Sequence, residues 1–141
     1  TRFLHCNIKT LNLLPNVMAA QKAQEAGCNE AVFVRDGLVT EGSHCNVSII
    51  KDGAFITHPL DNLILPGTER KHMLAYCRAL GIPTEERAFT PAEMMAADEI
   101  IMSSTSHPSM RVMEVDGQPA GMKDPELVGK LRACYMEDIE R

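Results

Sequence analysis

The chain has no tryptophan, and only 4% of its 141 residues are aromatic. With so few large rings, its interior must be filled mainly by aliphatic side chains and by nine methionines, whose flexible thioethers adapt to irregular gaps. Clustered positive charge is also lacking. Fourteen Lys and Arg stand against nineteen Asp and Glu, a formal net charge of −5, which argues against a nucleic-acid surface. No apolar run approaches the roughly 20 residues needed to span a bilayer, and no signal peptide is visible. The five cysteines (Cys6, Cys28, Cys45, Cys77 and Cys134) form no C-x-x-C pair. Their odd number and scatter read as reduced thiols of a cytoplasmic protein rather than a disulfide framework. His5-Cys6 and His44-Cys45 are the adjacent His/Cys pairs, and neither has two further His or Cys beside it in the sequence, so no metal site is expected.

What is present is ordinary for a globular protein: 45% hydrophobic and 23% charged residues, in a length that suits one domain, 1–141. Residues 1–11 read as an extended apolar run. A helix is expected over 17–26, capped by Asn12 or Asn16 and stopped at Gly27. Short strands follow at 31–34, 38–40, 47–50 and 54–57, linked in hairpins by Asp36-Gly37 and Asp52-Gly53. After a loop over 58–66, Thr68 to Leu80 has helical spacing of Met73, Leu74, Cys77 and Leu80. Residues 82–87 read as an edge strand guarded by charge. Thr90-Pro91-Ala92-Glu93 is a capping box that opens a short helix. A strand over 99–102, the run 111–115 with an Asp116-Gly117 turn, and a final helix from Asp124-Pro125-Glu126 complete the chain. Strands and hairpins interleaved with helices point to an α/β domain with a mixed or antiparallel sheet.

Two short stretches carry chemistry. Lys9, in Ile8-Lys9-Thr10-Leu11-Asn12, stands between apolar neighbours. An ammonium there either reaches water or has its pKa lowered towards a usable free amine. Glu41, in Thr40-Glu41-Gly42-Ser43, ends an apolar run just before a turn, where a carboxylate can be aimed at a fixed point. An amine and a carboxylate so placed can grip the two ends of an aldehyde cofactor such as pyridoxal phosphate. Each also has a plainer reading, as a snorkelling surface lysine and a turn glutamate. Pro66-Gly67-Thr68-Glu69-Arg70 puts backbone N–H groups at a helix start, either an anion site or a simple junction. Ser103-Ser104-Thr105-Ser106 is a cluster of hydroxyls at a strand end.

The segments IKTLNLLPNVMAAQKAQEAGCNEAVF, VTEGSHCNVSIIKDG, THPLDNLILPG and IIMSSTSHPSMRVMEVDG, in this order, resemble the C-terminal half of the D-amino-acid transaminases. These belong to the fold-type-IV pyridoxal-phosphate enzymes, together with branched-chain transaminases and aminodeoxychorismate lyase. The resemblance implies a mixed sheet curled into a partial barrel with helices outside. It implies that Lys9 forms the Schiff base and shuttles the proton, and that Glu41 keeps the pyridine nitrogen protonated. By the same resemblance Leu65 packs on the ring, while Gly67, Thr68, Glu69, Ser104 and Thr105 form the phosphate end. The family commonly has threonine where Glu69 stands, so Glu69 is expected to face away and Thr68 or backbone N–H groups to make the contact. Lys9 Nζ and the Glu41 carboxylate should face one cleft, on the order of 8–10 Å apart if each contact is of hydrogen-bond length. His107 and Pro108 fall where substrate should pass.

The activity implied is transfer of amino groups between D-amino acids (D-alanine or D-glutamate type) and 2-oxo acids, in a homodimer without nucleic-acid or membrane partners. Branched-chain L-amino-acid transamination and the lyase reaction are the alternatives within the fold. A non-catalytic interaction module is the alternative outside it. An N-terminal domain that holds the substrate carboxylate is expected to precede Thr1 in the complete enzyme, leaving this chain alone inactive.

Overall fold

Three Asp-Gly pairs form the two-residue hairpin turns, two in the main sheet and one in a separate hairpin. In the computed structural model, which describes residues 14–28, 30–42, 45–59, 68–104 and 110–140, both residues of each pair have positive φ. The values are 51° and 77° at Asp36-Gly37, 51° and 78° at Asp52-Gly53, and 49° and 79° at Asp116-Gly117. That is the twist a two-residue hairpin needs, and Asp and Gly tolerate it at least cost. The pairs join β1 (Val32–Arg35) to β2 (Leu38–Gly42), β3 (Asn46–Lys51) to β4 (Ala54–Thr57), and β8 (Glu114–Val115) to β9 (Gln118–Pro119).

Helix α1 spans Leu14–Glu25, three residues longer at its start than the composition predicted, because Pro15 fits within a first helical turn. Helix α2 covers Thr68–Leu80, as the apolar spacing predicted. Helix α3, Pro91–Ala96, has the expected capping box: Thr90 Oγ1 accepts from Glu93 N at 3.1 Å, and Thr90 N donates back to Glu93 Oε1 at 3.3 Å. The backbone donor at Thr90, aided by Arg87, holds the Glu93 carboxyl below the usual carboxylate range. The last helix, α4, runs over Pro125–Glu140. The expected strand at 1–11 lies outside the described residues.

The sheet is mixed and is organised on β3. This strand pairs antiparallel with β4 on one side and with β6 (Glu99–Ser103) on the other. At its first residue it also meets β2, through Glu41↔Asn46. Beyond β4, the strand expected over 82–87 is the shorter β5, Thr84–Glu86, paired parallel with Phe55↔Thr84 in register. The run 111–115 divides in two. Met110–Arg111 forms β7 against β6, and the chain then leaves the sheet for the separate β8–β9 hairpin.

Pleating splits the sheet into two faces with different cores. Val47, Ile49, Ile56, Ile100 and Met102 face one way, towards Val39, Phe89, Met94 and Ala97. Strand β2 pairs with β3 at Glu41, and its residues before Glu41 reach across this core, where Val39 N donates to Phe89 O at 2.8 Å. The sheet therefore curls around its first core. Ile50, Phe55 and Ile101 face the other way and are covered by Met73, Leu74 and Cys77 of α2 and by Leu127, Val128 and Leu131 of α4. Burial beside Cys134 pushes the Cys77 thiol up to about 12, so it remains protonated and behaves as an apolar filler.

The second face ends in a buried ion pair. Glu99 is fully buried and takes Arg111 Nη2 at 2.7 Å, Arg111 Nε at 3.0 Å and the Asp124 N–H at 2.8 Å. One carboxylate thus joins β6, β7 and the start of α4. Burial pushes this carboxyl up, but the Arg111 guanidinium and the Asp124 N–H outweigh burial and hold it below its ordinary value. Glu99→Ala is expected to destabilise the protein by about 3–5 kcal/mol, because Arg111 is left without its counter-charge. Since the folded pKa is depressed, this stabilisation is complete above the ordinary carboxylate value of about 4.3 and is lost as pH falls through the folded value. Urea midpoints at pH 7 and in mild acid should therefore differ less in Glu99→Ala than in the wild type. Equal acid sensitivity of the two would remove Glu99 from this role.

Candidate active site

Polar side chains are buried mainly at the opposite end of that second face. Register places Glu41, Asn46 and Ser103 in one row across β2, β3 and β6. Ser48, two residues along β3, lies on the same side and is hydrogen-bonded to Thr57 of β4, Oγ to Oγ1, at 3.0 Å. Their exposures are 3% for Glu41, 5% for Asn46, 2% for Ser48, 1% for Thr57 and 4% for Ser103. Along the same face the next positions, Ile50, Phe55 and Ile101, are apolar core. Burying this many polar groups in one place costs free energy unless each is satisfied. Concentrating them at one end of a face is how a polar ligand is received without opening the core.

The turn after β2 holds Glu41 in this row. Gly42 N donates to Cys45 O at 2.8 Å. A Cβ on Gly42 would lie 2.5 Å from Cys45 Sγ and 3.3 Å from Ala31 O, so a side chain at residue 42 would have to displace the Cys45 thiol. Thr40 donates through Oγ1 to Phe33 O at 3.4 Å and anchors β2 on β1. The glutamate is thereby fixed by its two chain neighbours.

Helix α2 is tied by its first turn to the end of β4, next to this corner. From its first turn, Arg70 Nη2 donates to the carbonyl of His58, the residue that follows Thr57, at 2.8 Å. Met73, Leu74 and Cys77 then carry the helix along the apolar part of the face. The first N–H groups of a helix lack internal acceptors and favour negative charge. The corner thus combines a buried carboxylate, several hydroxyls and amides, and a helix start.

Of the residues singled out from the sequence, Glu41 lies in this corner, and Ser104, half-buried, directly follows Ser103. Thr68 and Glu69 form the first turn of α2, with only their backbone described. Lys9, Leu65, Gly67, Thr105, His107 and Pro108 lie outside the described residues, and so does the expected Lys9–Glu41 separation. Sequence reasoning missed Asn46, Ser48, Thr57 and Arg70. The available signal was polar residues at alternate positions, Asn46 and Ser48, in a strand otherwise made of valine and isoleucine.

Residues 1–115 match the family model described as amino-transferase class IV, and the chain belongs to this family. A D-alanine aminotransferase from Bacillus licheniformis is 47% identical over 124 residues, covering 88% of this chain and 44% of that protein. A D-alanine aminotransferase from Listeria monocytogenes serotype 4b is 43% identical over 139 residues, covering 98% of this chain and 48% of that protein. Among solved structures, the branched-chain amino acid aminotransferase of Thermobaculum terrenum, in its PLP form, superposes with a TM-score of 0.89 at 27% identity. That match covers 98% of this chain and 46% of the other. The mixed α/β fold is therefore that of the fold-type-IV aminotransferases. The chain spans about half the length of the curated relatives it matches.

Proposed function

We propose that this chain is the cofactor-binding domain, 1–141, of a pyridoxal-phosphate transaminase that exchanges amino groups between D-amino acids and 2-oxo acids. The observation that carries the reading is Glu41, a buried carboxylate fixed at the polar end of the sheet, 3% exposed and in register with Asn46. Relatives 47% and 43% identical over most of the chain are D-alanine aminotransferases, which favours the D-amino-acid branch.

The donor set of the corner fits pyridoxal phosphate, a molecule with a protonated ring nitrogen at one side and a dianion at another. When bound, the cofactor supplies an aldehyde for the amino group and an electron-accepting ring. Glu41 orients the ring and holds the proton on its nitrogen. Lys9 would hold the aldehyde end of the cofactor through Nζ and, as a free amine, would move a proton at the substrate α-carbon. Thr68, the backbone N–H groups at Gly67 and Glu69, and Ser104 with Thr105 bind the phosphate, and Leu65 packs on the ring face. The substrate carboxylate is held by a further, N-terminal domain of the complete enzyme, which works as a cytoplasmic homodimer.

Branched-chain L-amino-acid transamination is the second reading, favoured by the Thermobaculum likeness. Absorbance of the full-length protein with pyridoxal phosphate, recorded before and after D-alanine and then L-leucine, separates the two. Loss of the lysine-bound cofactor band with D-alanine alone is the expected result. A response to L-leucine alone selects the second reading, and absence of any cofactor band overturns both.

A further inference from the structure

Arg70 is 3% exposed, unusual for a guanidinium. Its Nη2 donates to the His58 carbonyl and to Glu86 Oε1, both at 2.8 Å. Its Nε is also buried and has no hydrogen-bond partner among the described residues. A buried cation with an unsatisfied donor is a poor way to stabilise a fold. Helix α2 does not need it for packing either, because Met73, Leu74, Tyr76 and Cys77 already bury the helix against the sheet and α4. What Arg70 does is join three elements at one point: the first turn of α2, the end of β4 and strand β5.

That point borders the polar corner. His58 directly follows Thr57, which is bonded to Ser48, two residues along β3 from Asn46. The counter-charge at Glu86 is itself 42% exposed, so water weakens its hold on the guanidinium. Positive charge therefore remains beneath the helix start, with the same sign as the helix dipole there.

We infer that Arg70 is a positioning residue for the anionic end of the cofactor: by tying α2 to His58 and Glu86, it sets the helix N-terminus against the polar corner. This rests on the pyridoxal-phosphate reading above. It gives Arg70 a role that depends on the phosphate and is independent of the ring and aldehyde.

The test compares pyridoxal phosphate with pyridoxal, which lacks the phosphate, in titrations of the full-length apoenzyme. Arg70→Met is expected to weaken pyridoxal phosphate about 30-fold and pyridoxal less than about twofold, with kcat at saturating cofactor largely retained. Arg70→Lys, which keeps the charge but not the two-point contact, should fall between Arg70→Met and wild type. If Arg70→Met does not fold, Glu86→Ala at its half-exposed position releases one of the two Nη2 contacts. It should weaken pyridoxal phosphate by about three- to fivefold and leave pyridoxal unchanged. Equal weakening of both ligands, or of neither, overturns the inference while the wild-type enzyme still binds cofactor. A wild-type enzyme that binds no pyridoxal phosphate overturns the functional reading itself, and this inference with it.

Discussion

Lys9→Ala in the full-length enzyme is expected to abolish transamination, with a loss of at least about ten-thousand-fold in kcat. Two roles disappear with one amine. No Nζ remains to hold the aldehyde carbon, so the lysine-bound absorbance band should be absent even at saturating pyridoxal phosphate. No base of matched pKa remains at the substrate α-carbon, so the proton must find a slower route. Added small amines should restore part of the rate by replacing the lost base, whereas a variant that had merely unfolded would not respond. Retention of activity within tenfold of wild type would show that Lys9 is a surface residue and would remove the centre of the proposed chemistry.

Glu41→Gln should separate turnover from cofactor retention. The glutamine keeps the size and the buried place of Glu41, so β2, the Gly42 turn and the polar corner should persist. In the proposed site, phosphate contacts and Lys9 would hold the cofactor independently of its ring nitrogen, so its affinity should change little. A neutral amide no longer stabilises the proton on that nitrogen, and the loss matters most as the α-proton leaves. An interaction that strengthens in the transition state lowers kcat when removed. A cost of about 3–4 kcal/mol corresponds to a few hundred-fold in rate. Wild-type turnover in Glu41→Gln with cofactor bound would reduce Glu41 to a turn residue. A large loss of cofactor affinity with unchanged kcat would assign it to binding instead.

The short-range parts of the fold were legible in the sequence because short-range rules govern them. Asp36-Gly37, Asp52-Gly53 and Asp116-Gly117 turn where their positive φ is tolerated. Thr90 and Glu93 close their capping box across three residues, and α2 begins and ends at Thr68 and Leu80. Glu41 was visible as a candidate because a carboxylate at the end of an apolar run needs an explanation. Differences arose where a residue's state depends on a distant partner. Strand β5 is parallel to β4 because α2 carries the chain back across the sheet, which the charges of Thr84–Glu86 do not encode. The run from Arg111 divides because Arg111 is held by Glu99 on β6, twelve residues away, while the following segment turns into its own hairpin.

By itself the sequence determined the helices and hairpin turns among the described residues, the membership of the class IV aminotransferases, and the choice of Lys9 and Glu41 on which the proposed chemistry rests. Only the tertiary structure decided that β3 is the strand on which β2, β4 and β6 converge. That convergence puts Glu41, Asn46, Ser48, Thr57 and Ser103 into one buried corner, and it places Arg70 beneath the start of α2. The physical reason is the difference in range. Turn and cap preferences act over two to four residues, whereas the choice of strand partner is made by which apolar faces can be buried together, and polar side chains are carried to wherever that packing leaves them.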